Sequence, residues 1–252
     1  MRKSLRLLAP MALAALPLAL APGVANAADS SYQTTLNPLN GSGATGMATI
    51  AMTGNEAQIN VSWSGLPAEF SGGPYPHVQH IHIDGAGQCP TTSADKNNDG
   101  VISTTEGGPA YGAIGTTLST KGDTSPAAGT NIKIAPGGGE TNYSRTISLD
   151  SKTAASLRSG SAVIVVHGLD PATLSKKAQN EKSDLVPSLP LAATSPALCG
   201  VLTAMPAGGA ATGTGSTSGI EDPALLGLGG GLLAAGAGMA LYTLRRRRVE
   251  EA

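Results

Sequence analysis

The chain has 252 residues, with 16 Lys and Arg against 17 Asp and Glu, so its formal net charge at pH 7 is −1. This balance, without a basic patch, excludes the nucleic-acid-binding proteins that depend on a basic surface. Aromatic residues make up only 3% of the chain, so a hydrophobic core has to be built from Val, Ile, Leu and Ala.

The N-terminal segment has the pattern of a secretory signal peptide. Three basic residues occur within the first six positions, an apolar run covers residues 7–20, and the small residues Ala25-Asn26-Ala27 follow. A basic region, an apolar region and a small-residue cleavage site in this order are typical of exported proteins. We therefore predict a signal peptide over residues 1–27 and a mature chain that begins at Ala28.

Residues 28–205 are predicted to form one extracellular, mostly β domain. Apolar and polar residues alternate over Met47–Met52 and Ala57–Trp63, on either side of Thr53-Gly54-Asn55, which predicts a β-hairpin. Further predicted strands are Val78–Ile83, Asn131–Ile134, Tyr143–Leu149 and Ala162–Val166, and the predicted helices are Ser151–Arg158 and Ser175–Lys182. Many short strands with Gly- and Pro-rich turns favour a β-sandwich or barrel.

The four histidines of the chain occur in two segments: His77, His80 and His82 in one, and His167 after a predicted buried strand. Side chains alternate along a strand, so His80 and His82 point to the same face. His167 is then the natural third ligand, and His77 lies where a loop enters the strand. Imidazoles without thiolates suit Cu, Zn, Fe or Ni, so we predict a transition-metal site here. The alternative is a pair of surface or hydrogen-bonded strand histidines.

Residues 95–106 match the ligand spacing of a calcium-binding EF loop. Such a loop needs oxygen ligands at positions 1, 3, 5, 7, 9 and 12, and a glycine at position 6. Gly100 occupies position 6, and the ligand positions hold Asp95, Asn97, Asp99, Val101 through its carbonyl, Ser103 and Glu106. Pro90 and Pro109 limit the flanking helices, which argues against a paired calcium sensor. We predict a structural calcium site, with a solvated loop that fits by chance as the alternative.

The two cysteines, Cys89 and Cys199, are predicted to form one disulfide, because exported chains fold in oxidising surroundings. Closing a loop of this length stabilises a fold by about 4–5 kcal/mol in the chain-entropy model. Two unpaired buried thiols are the alternative.

The C-terminal part of the chain predicts a membrane anchor. Residues 206–222 are rich in Gly, Ala, Ser and Thr, as flexible linkers are. Residues 223–244 are apolar enough, and long enough, to cross a bilayer as a helix. Four arginines begin residues 245–252, which favours a cytoplasmic tail. A sortase-type sorting signal shares this layout, but no LPxTG-like motif precedes the apolar segment, so we favour a retained span.

Several motifs, in their order along the chain, resemble the Cu/Zn superoxide dismutases and also the chordin-type (CHRD) domains. The segments that carry the resemblance are Gly46–Ile50, Val61–Pro67, His80–His82, Cys89, Val163–Asp170 and Pro196–Leu202. Together they cover about residues 44–203. The resemblance implies a Greek-key β-sandwich or barrel, with His80, His82 and His167 as copper ligands and Cys89–Cys199 as the structural disulfide.

The chain departs from the dismutase pattern in two places. No histidine lies between Cys89 and His167, so the bridging and zinc-binding histidines of the dismutases have no counterparts, and the Asp/Asn loop of residues 95–106 stands in their place. Pro196 occupies the position of the arginine that guides the anionic substrate in the dismutases. His77 is the candidate replacement for the missing fourth copper ligand. These departures favour metal binding over dismutase catalysis.

We therefore expect an exported, membrane-anchored metal-binding domain that acts as a cell-surface module, with calcium in the loop and copper at the histidines. Its expected partners are metal ions and, through the C-terminal helix, the membrane; nucleic acid is not expected. Two alternatives stay open: a copper-dependent superoxide dismutase, and a purely structural or adhesive envelope protein. No residue is assigned a catalytic role, because no nucleophile with a partnered base is visible and every histidine belongs to the predicted metal cluster.

Overall fold

Alternation of buried and exposed side chains organises the strands of this protein. The computed structural model describes residues 30–206. Within them, the strand Glu56–Ser64 buries Ala57, Ile59, Val61 and Trp63 and leaves the polar residues between them exposed or half-buried, as expected for a strand with one face on the core. The predicted signal peptide, and the predicted segments 223–244 and 245–252, lie outside the described residues.

Eleven strands occur in the described residues, three of them only two residues long. In chain order, they are β1 (Ser30–Pro38), β2 (Thr45–Thr53), β3 (Glu56–Ser64), β4 (Glu69–Phe70), β5 (Gly73–Pro74), β6 (Gln79–Asp84), β7 (Gly112–Thr117), β8 (Glu140–Ser148), β9 (Val163–His167), β10 (Pro196–Val201) and β11 (Thr203–Ala204). The predicted hairpin forms as β2 and β3, and the strands predicted at residues 78–83, 143–149 and 162–166 correspond to β6, β8 and β9. Residue alternation did not predict β1, β7, β10 or the two-residue strands β4, β5 and β11.

Short helices connect the strands. The α-helices are α1 (Thr104–Tyr111), α2 (Ser151–Ser159), α3 (Lys176–Asn180) and α4 (Leu191–Thr194), and the 3-10 turns are Thr92–Ala94, Pro126–Ala128, Ile132–Ile134 and Pro171–Thr173. The start of α2 is capped by Asp150, whose side chain accepts hydrogen bonds from the backbone N–H groups of Lys152 and Thr153. The two predicted helices therefore form as α2 and α3.

The segment Asn131–Ile134, which was predicted as a strand, is instead a 3-10 turn. The Asn131 side chain accepts a hydrogen bond from the backbone N–H of Lys133, and such local side-chain bonds compete with strand pairing. Ile132 is 51% exposed, so its apolar side chain does not belong to a buried strand face. The alternation in this segment was misleading because it was too short to outweigh the turn chemistry of Asn131.

The main sheet is antiparallel throughout. Its strand order is β7-β6-β9-β10-β1-β2-β3-β8, with β11 beside β1, and β4 and β5 form a separate pair. Some neighbours in the sheet, such as β10 and β1 or β3 and β8, are distant in sequence. The chain therefore crosses from one part of the sheet to another between consecutive strands. Buried side chains from both halves, including Ile59 in β3 and Ile164 in β9, belong to one core. The sheet therefore curls over itself, as in a β-sandwich.

Cys89 and Cys199 form a disulfide, with their Cα atoms 5.8 Å apart. It joins the segment that follows β6 to strand β10 across a sequence separation of 110 residues. A cross-link between such distant residues restricts the unfolded chain and stabilises the fold by about 4–5 kcal/mol in the chain-entropy model. The disulfide predicted from the sequence is present.

The fold prediction that added one transmembrane helix to the β domain is wrong. A membrane-spanning helix needs about 20 consecutive, mostly apolar residues, whereas α2, the longest helix within residues 30–206, has 9. No helix in this part of the chain is both long and apolar enough to cross a membrane. The predicted localisation at the extracellular face of the cell membrane depended on such a span and is corrected with it; residues 223–244 themselves lie outside the described residues.

Candidate metal centre

Three of the four histidines lie together. His80, His82 and His167 each offer one ring nitrogen, and these three atoms lie within 4.8 Å of one another. All three side chains are buried, and their ring centroids are 5.3 to 6.0 Å apart. No other group of three or more His, Cys, Asp or Glu within residues 30–206 has ligand atoms this close. We call these three residues the triad.

Strand pairing explains why the triad forms. His80 and His82 are two residues apart on β6, which pairs antiparallel with β9, so that His80 lies opposite Val165. His167 is the last residue of β9, and its backbone N–H donates to the carbonyl oxygen of Val78, just before β6 begins. The antiparallel register therefore brings the end of β9 to the start of β6, where the other two histidines lie.

Each triad histidine uses one ring nitrogen to bond a backbone carbonyl. The pairs are His80 Nε2 with Gly129 O at 2.9 Å, His82 Nδ1 with Gly112 O at 2.9 Å, and His167 Nδ1 with Thr194 O at 2.7 Å. A carbonyl oxygen only accepts, so these nitrogens carry the hydrogens. The opposite nitrogens are buried and have no hydrogen-bond partner: His80 Nδ1, His82 Nε2 and His167 Nε2. Each ring is thus held in the tautomer that leaves a lone pair free for a metal.

Burial keeps the three rings uncharged. It lowers the pKa of His82 to about 3 and the pKa of His167 to about 4. Burial, together with the neighbouring His167 and His82, also lowers the pKa of His80 well below its usual value. The neutral imidazole is the form that binds metal, so the triad is ready to bind an ion at neutral pH.

His77, the fourth predicted ligand, lies apart from the triad. Its Nδ1 is 2.9 Å from the carbonyl oxygen of His167, and its Nε2 is 2.9 Å from that of Pro67. Its ring packs edge-on against Trp63, with the ring centroids 5.1 Å apart. Because both ring nitrogens face backbone oxygens, neither is directed at the triad. His77 instead connects the segment before β6 to the end of β9.

The triad lines a cavity of about 480 Å³. Residues from α1, including Thr104 and Tyr111, form part of its wall, and Ile132 and Leu185 also line it. Among the described residues that line this cavity, none is Asp, Glu, Lys or Arg. The triad residues therefore adjoin an uncharged, largely apolar space.

The predicted calcium loop, residues 95–106, directs its carboxylates toward its own backbone. The Asp95 carboxylate accepts hydrogen bonds from the backbone N–H groups of Gly100 at 2.9 Å and of Asp99 at 3.3 Å. Asp99 Oδ1 accepts one from Val101 at 2.6 Å, and the Glu106 carboxylate accepts from three N–H groups near the two ends of the loop. Gly100 has a φ of 91°, in keeping with the sharp turn that this position makes in calcium loops.

The remaining side chains of the loop are also engaged. Asn97 Nδ2 donates to Asp99 Oδ2 at 2.9 Å, and Ser103 and Glu106 form a reciprocal capping box at the start of α1. Glu181, which the sequence did not single out, adds a carboxylate 3.4 Å from Asn97 Nδ2, and a hydrogen bond with Asp99 raises the pKa of Glu181. The loop gathers oxygen atoms that suit a hard cation, but these atoms already accept hydrogen bonds from the chain.

Helix α1 connects this loop to the triad at its first residue. Thr104 directly follows the capping residue of α1, and its hydroxyl donates to the carbonyl oxygen of Thr194 at 2.6 Å. The same carbonyl oxygen accepts the hydrogen bond from His167 Nδ1. The end of the loop and the orientation of one triad ring therefore share a hydrogen-bond acceptor.

The other end of α1 holds a second triad ring. Gly112 has a φ of 92°, a conformation that favours glycine, and a Cβ atom there would collide with the carbonyl oxygen of Ile83. Its carbonyl accepts from His82, and the ring of Tyr111 packs edge-on against that of His82 with centroids 4.6 Å apart. Helix α1 thus positions two of the three triad residues.

The groups that orient the triad were not identified from the sequence. Gly112, Gly129 and Thr194 act through backbone carbonyl oxygens, which every residue carries, so no side-chain pattern distinguishes them. Of these three, only the two glycines offered a signal, because a glycine can mark close approach of the backbone to another group.

Comparison with known proteins leaves the geometry as the guide to function. No protein-family model matches the chain, and no curated protein gives a significant match. The resemblance to the dismutases and CHRD domains therefore depends only on the order of motifs in the sequence.

Proposed function

We propose that residues 30–206 form a metal-binding β domain in which the triad holds one transition-metal ion. The observation that carries this proposal is the set of three buried, unpartnered ring nitrogens that meet at one point. Leaving a buried polar atom without a partner costs about 1–3 kcal/mol. Three such atoms, each on a ring held by a backbone carbonyl, are best explained by an ion that all three bind.

Copper is the ion that we propose for the triad. Imidazole nitrogens suit Cu, Zn, Fe and Ni alike, so the ligand set alone does not choose among them. The resemblance of the segments around His80, His82 and His167 to the copper-binding strands of the dismutases favours copper. The Cys89–Cys199 disulfide supports the same resemblance, and it also supports a chain that folds in an oxidising compartment.

Calcium is the ion that we propose for residues 95–106, in a structural role. The spacing of the oxygen ligands, the left-handed Gly100 and the nearby carboxylate of Glu181 support a hard cation. Because the loop leads into α1, a bound ion would hold the start of that helix.

Superoxide dismutation remains the weaker alternative. Pro196 stands where the dismutases carry the arginine that guides the anionic substrate, and no histidine lies between Cys89 and His167 to serve as their bridging ligand. None of the described residues that line the cavity beside the triad is charged. A binding function, with or without a structural role in an envelope, therefore fits the geometry better than dismutase catalysis.

The test is metal analysis of the purified protein and of variants that remove only the metal-facing nitrogen. In His82→Asn and His167→Asn, the amide Nδ2 can replace the ring Nδ1 as donor to the backbone carbonyl. We expect one copper per chain in the parent protein and a copper affinity at least about 100-fold lower in each variant, since even outer ligands of metal sites change affinity by about 10–100-fold.

The matched control is His77→Gln, a change at a buried histidine outside the triad, which should retain one copper per chain. Circular dichroism would verify that all variants are folded. Unchanged copper affinity in His82→Asn and His167→Asn would rule out the triad as the site. A superoxide assay on the copper-loaded protein tests the alternative: dismutation that is lost in His82→Asn would favour the enzyme.

A further inference from the structure

The cavity beside the triad has the size of a small-molecule site. Its volume is about 480 Å³, within the range of about 300–1,000 Å³ that is usual for ligand pockets. All three triad histidines line it, together with side chains from α1 and from the segments that contain Ile132 and Leu185. The metal centre therefore adjoins enough space for an organic molecule.

The wall of this cavity is largely apolar. Phe70 and Tyr75 both line it and stack on each other, with their ring centroids 4.9 Å apart. The hydroxyls of Tyr75 and Tyr111 already donate to the backbone carbonyls of Leu169 and Thr104. These tyrosines therefore contribute aromatic surface rather than free hydroxyl groups, and no charged side chain of the described residues lines the cavity.

Two exposed apolar side chains add to this surface. Within the described residues, the large hydrophobic side chains exposed to solvent are Ile132 and Leu185, at 51% and 49%. Both of them line the cavity. Exposed apolar side chains gain free energy when a ligand covers them, so this pair favours an occupant with an apolar body.

We propose that this cavity binds an uncharged, largely apolar small molecule that carries one lone-pair donor, and that this donor completes the coordination of the metal. The inference rests on the function proposed above for the triad. Three protein ligands leave a coordination position open on the ion, and the triad lines the cavity. No cationic side chain of the described residues lines the cavity, so apart from the ion itself the wall offers a ligand apolar contact rather than a charge partner.

The experiment uses the full chain loaded with cobalt(II), whose visible absorption reports a change in its ligands. The probes are imidazole, phenylimidazole and azide. Imidazole and phenylimidazole bind metal through the same kind of ring nitrogen. The ratio of their affinities therefore measures the contribution of the phenyl group. We expect phenylimidazole to bind at least about tenfold more tightly than imidazole, because its ring buries additional apolar surface, and azide to bind no more tightly than imidazole.

Variants of Ile132 and Leu185 test whether the phenyl group of the probe binds beside these two side chains. Leu185→Asp and Ile132→Asp should bring the affinities for the two imidazoles close to each other. Neither change should lower the cobalt affinity, since neither residue is a ligand. Leu185→Met keeps an apolar side chain and should keep the preference.

Five outcomes would overturn the inference. Equal affinities for the two imidazoles, a preference for azide, or an undiminished preference in both Asp variants would each do so while leaving metal binding by the triad intact. Failure of the parent protein to bind either cobalt or copper would instead overturn the proposed function and this inference together. A protein that binds phenylimidazole equally well without cobalt would show an apolar cavity that does not use the metal, and would also contradict the proposal.

Discussion

The triad and the loop of residues 95–106 differ in how their ligand atoms are occupied. The three metal-facing nitrogens of the triad are buried and have no hydrogen-bond partner. The carboxylates of Asp95, Asp99 and Glu106 in the loop instead accept hydrogen bonds from backbone N–H groups of the same loop. The triad therefore leaves three ring lone pairs for an ion to bind, whereas the loop carboxylates already accept hydrogen bonds and keep their negative charges for an ion to neutralise.

This difference separates two kinds of metal dependence. An ion at the triad replaces nothing, because each ring keeps its bond to a backbone carbonyl while its opposite nitrogen binds the metal. An ion in the loop has to share carboxylate oxygens with the backbone, so its binding adds less to the stability of a loop that is already folded. Both sites contact α1, which makes their independence a question for experiment.

The largest expected effect is a loss of stability of the metal-free protein at acidic pH, which comes from the buried rings of the triad. The pKa values of His82 and His167 in the folded protein, about 3 and about 4, lie below the usual 6.5. As the pH falls from 6.5 toward 4, the unfolded chain binds protons at these residues and the folded chain does not. The free energy of unfolding should therefore fall by up to about 1.4 kcal/mol per pH unit for each ring, as measured by urea denaturation across this range.

The matched control for this pH dependence is His82→Asn, which removes one titrating ring and keeps a donor for Gly112. Its free energy of unfolding should depend less steeply on pH than that of the parent protein. Identical slopes in the two proteins would contradict the buried, neutral state of His82.

Removing a triad ligand should abolish the stabilisation by copper and leave the stabilisation by calcium. At a copper concentration about 100 times its Kd, binding should stabilise the parent protein by about 2.7 kcal/mol, visible as a rise in melting temperature. His167→Asn should lose this rise and keep the response to calcium. Loss of both responses in a folded variant would mean that the two sites are not separable.

A change in the loop should weaken calcium binding and leave copper binding at the triad unaffected. Asp95→Asn retains an oxygen that can accept from Gly100 but removes a negative charge, and calcium affinity depends on the number of charged ligands. We expect calcium affinity, measured by isothermal titration calorimetry, to fall by about tenfold or more, with copper binding unchanged. A parent protein that shows no calcium-dependent rise in melting temperature would contradict the structural calcium site.

The smallest expected effect concerns the connection between the two sites. Thr104→Val removes the hydroxyl that donates to the carbonyl of Thr194, the acceptor of His167 Nδ1. We expect a loss of about 1 kcal/mol in the free energy of unfolding and a fall of less than about tenfold in copper affinity, because the change lies beyond the residues that bond the ligands directly. Thr104→Ser, which keeps the hydroxyl, should resemble the parent protein. If Thr104→Val lost more copper affinity than His167→Asn, Thr104 could not act only through the carbonyl that orients His167.

Residue patterns predicted the three members of the triad but not the position of His77. Alternation along one strand predicted that His80 and His82 share a face, and His167 was the natural third ligand because it ends another buried strand. His77 lies in the same short motif but faces the carbonyls of Pro67 and His167. Its direction depends on where the preceding loop passes, which strand periodicity does not specify.

The loop shows the opposite case, in which a local pattern carried most of the geometry. Gly100 takes the left-handed conformation, and Ser103 and Glu106 close a capping box at the start of α1. These contacts lie within twelve consecutive residues, so the sequence spacing already implied them. Glu181 joins the loop from a distant part of the chain, and no local spacing could have predicted it.

The sequence by itself determined the strand character of most of the sheet, the residue types available to a metal and the two cysteines that pair, because these follow from local periodicity and side-chain chemistry. Only the tertiary structure decided which nitrogen of each triad ring is free, since the carbonyls of Gly112, Gly129 and Thr194 reach the rings through long-range folding. It also decided that an uncharged cavity adjoins the triad. Hydrogen-bond partners and cavity walls come from residues far apart in the chain, and their meeting depends on strand register and loop path rather than on any one segment.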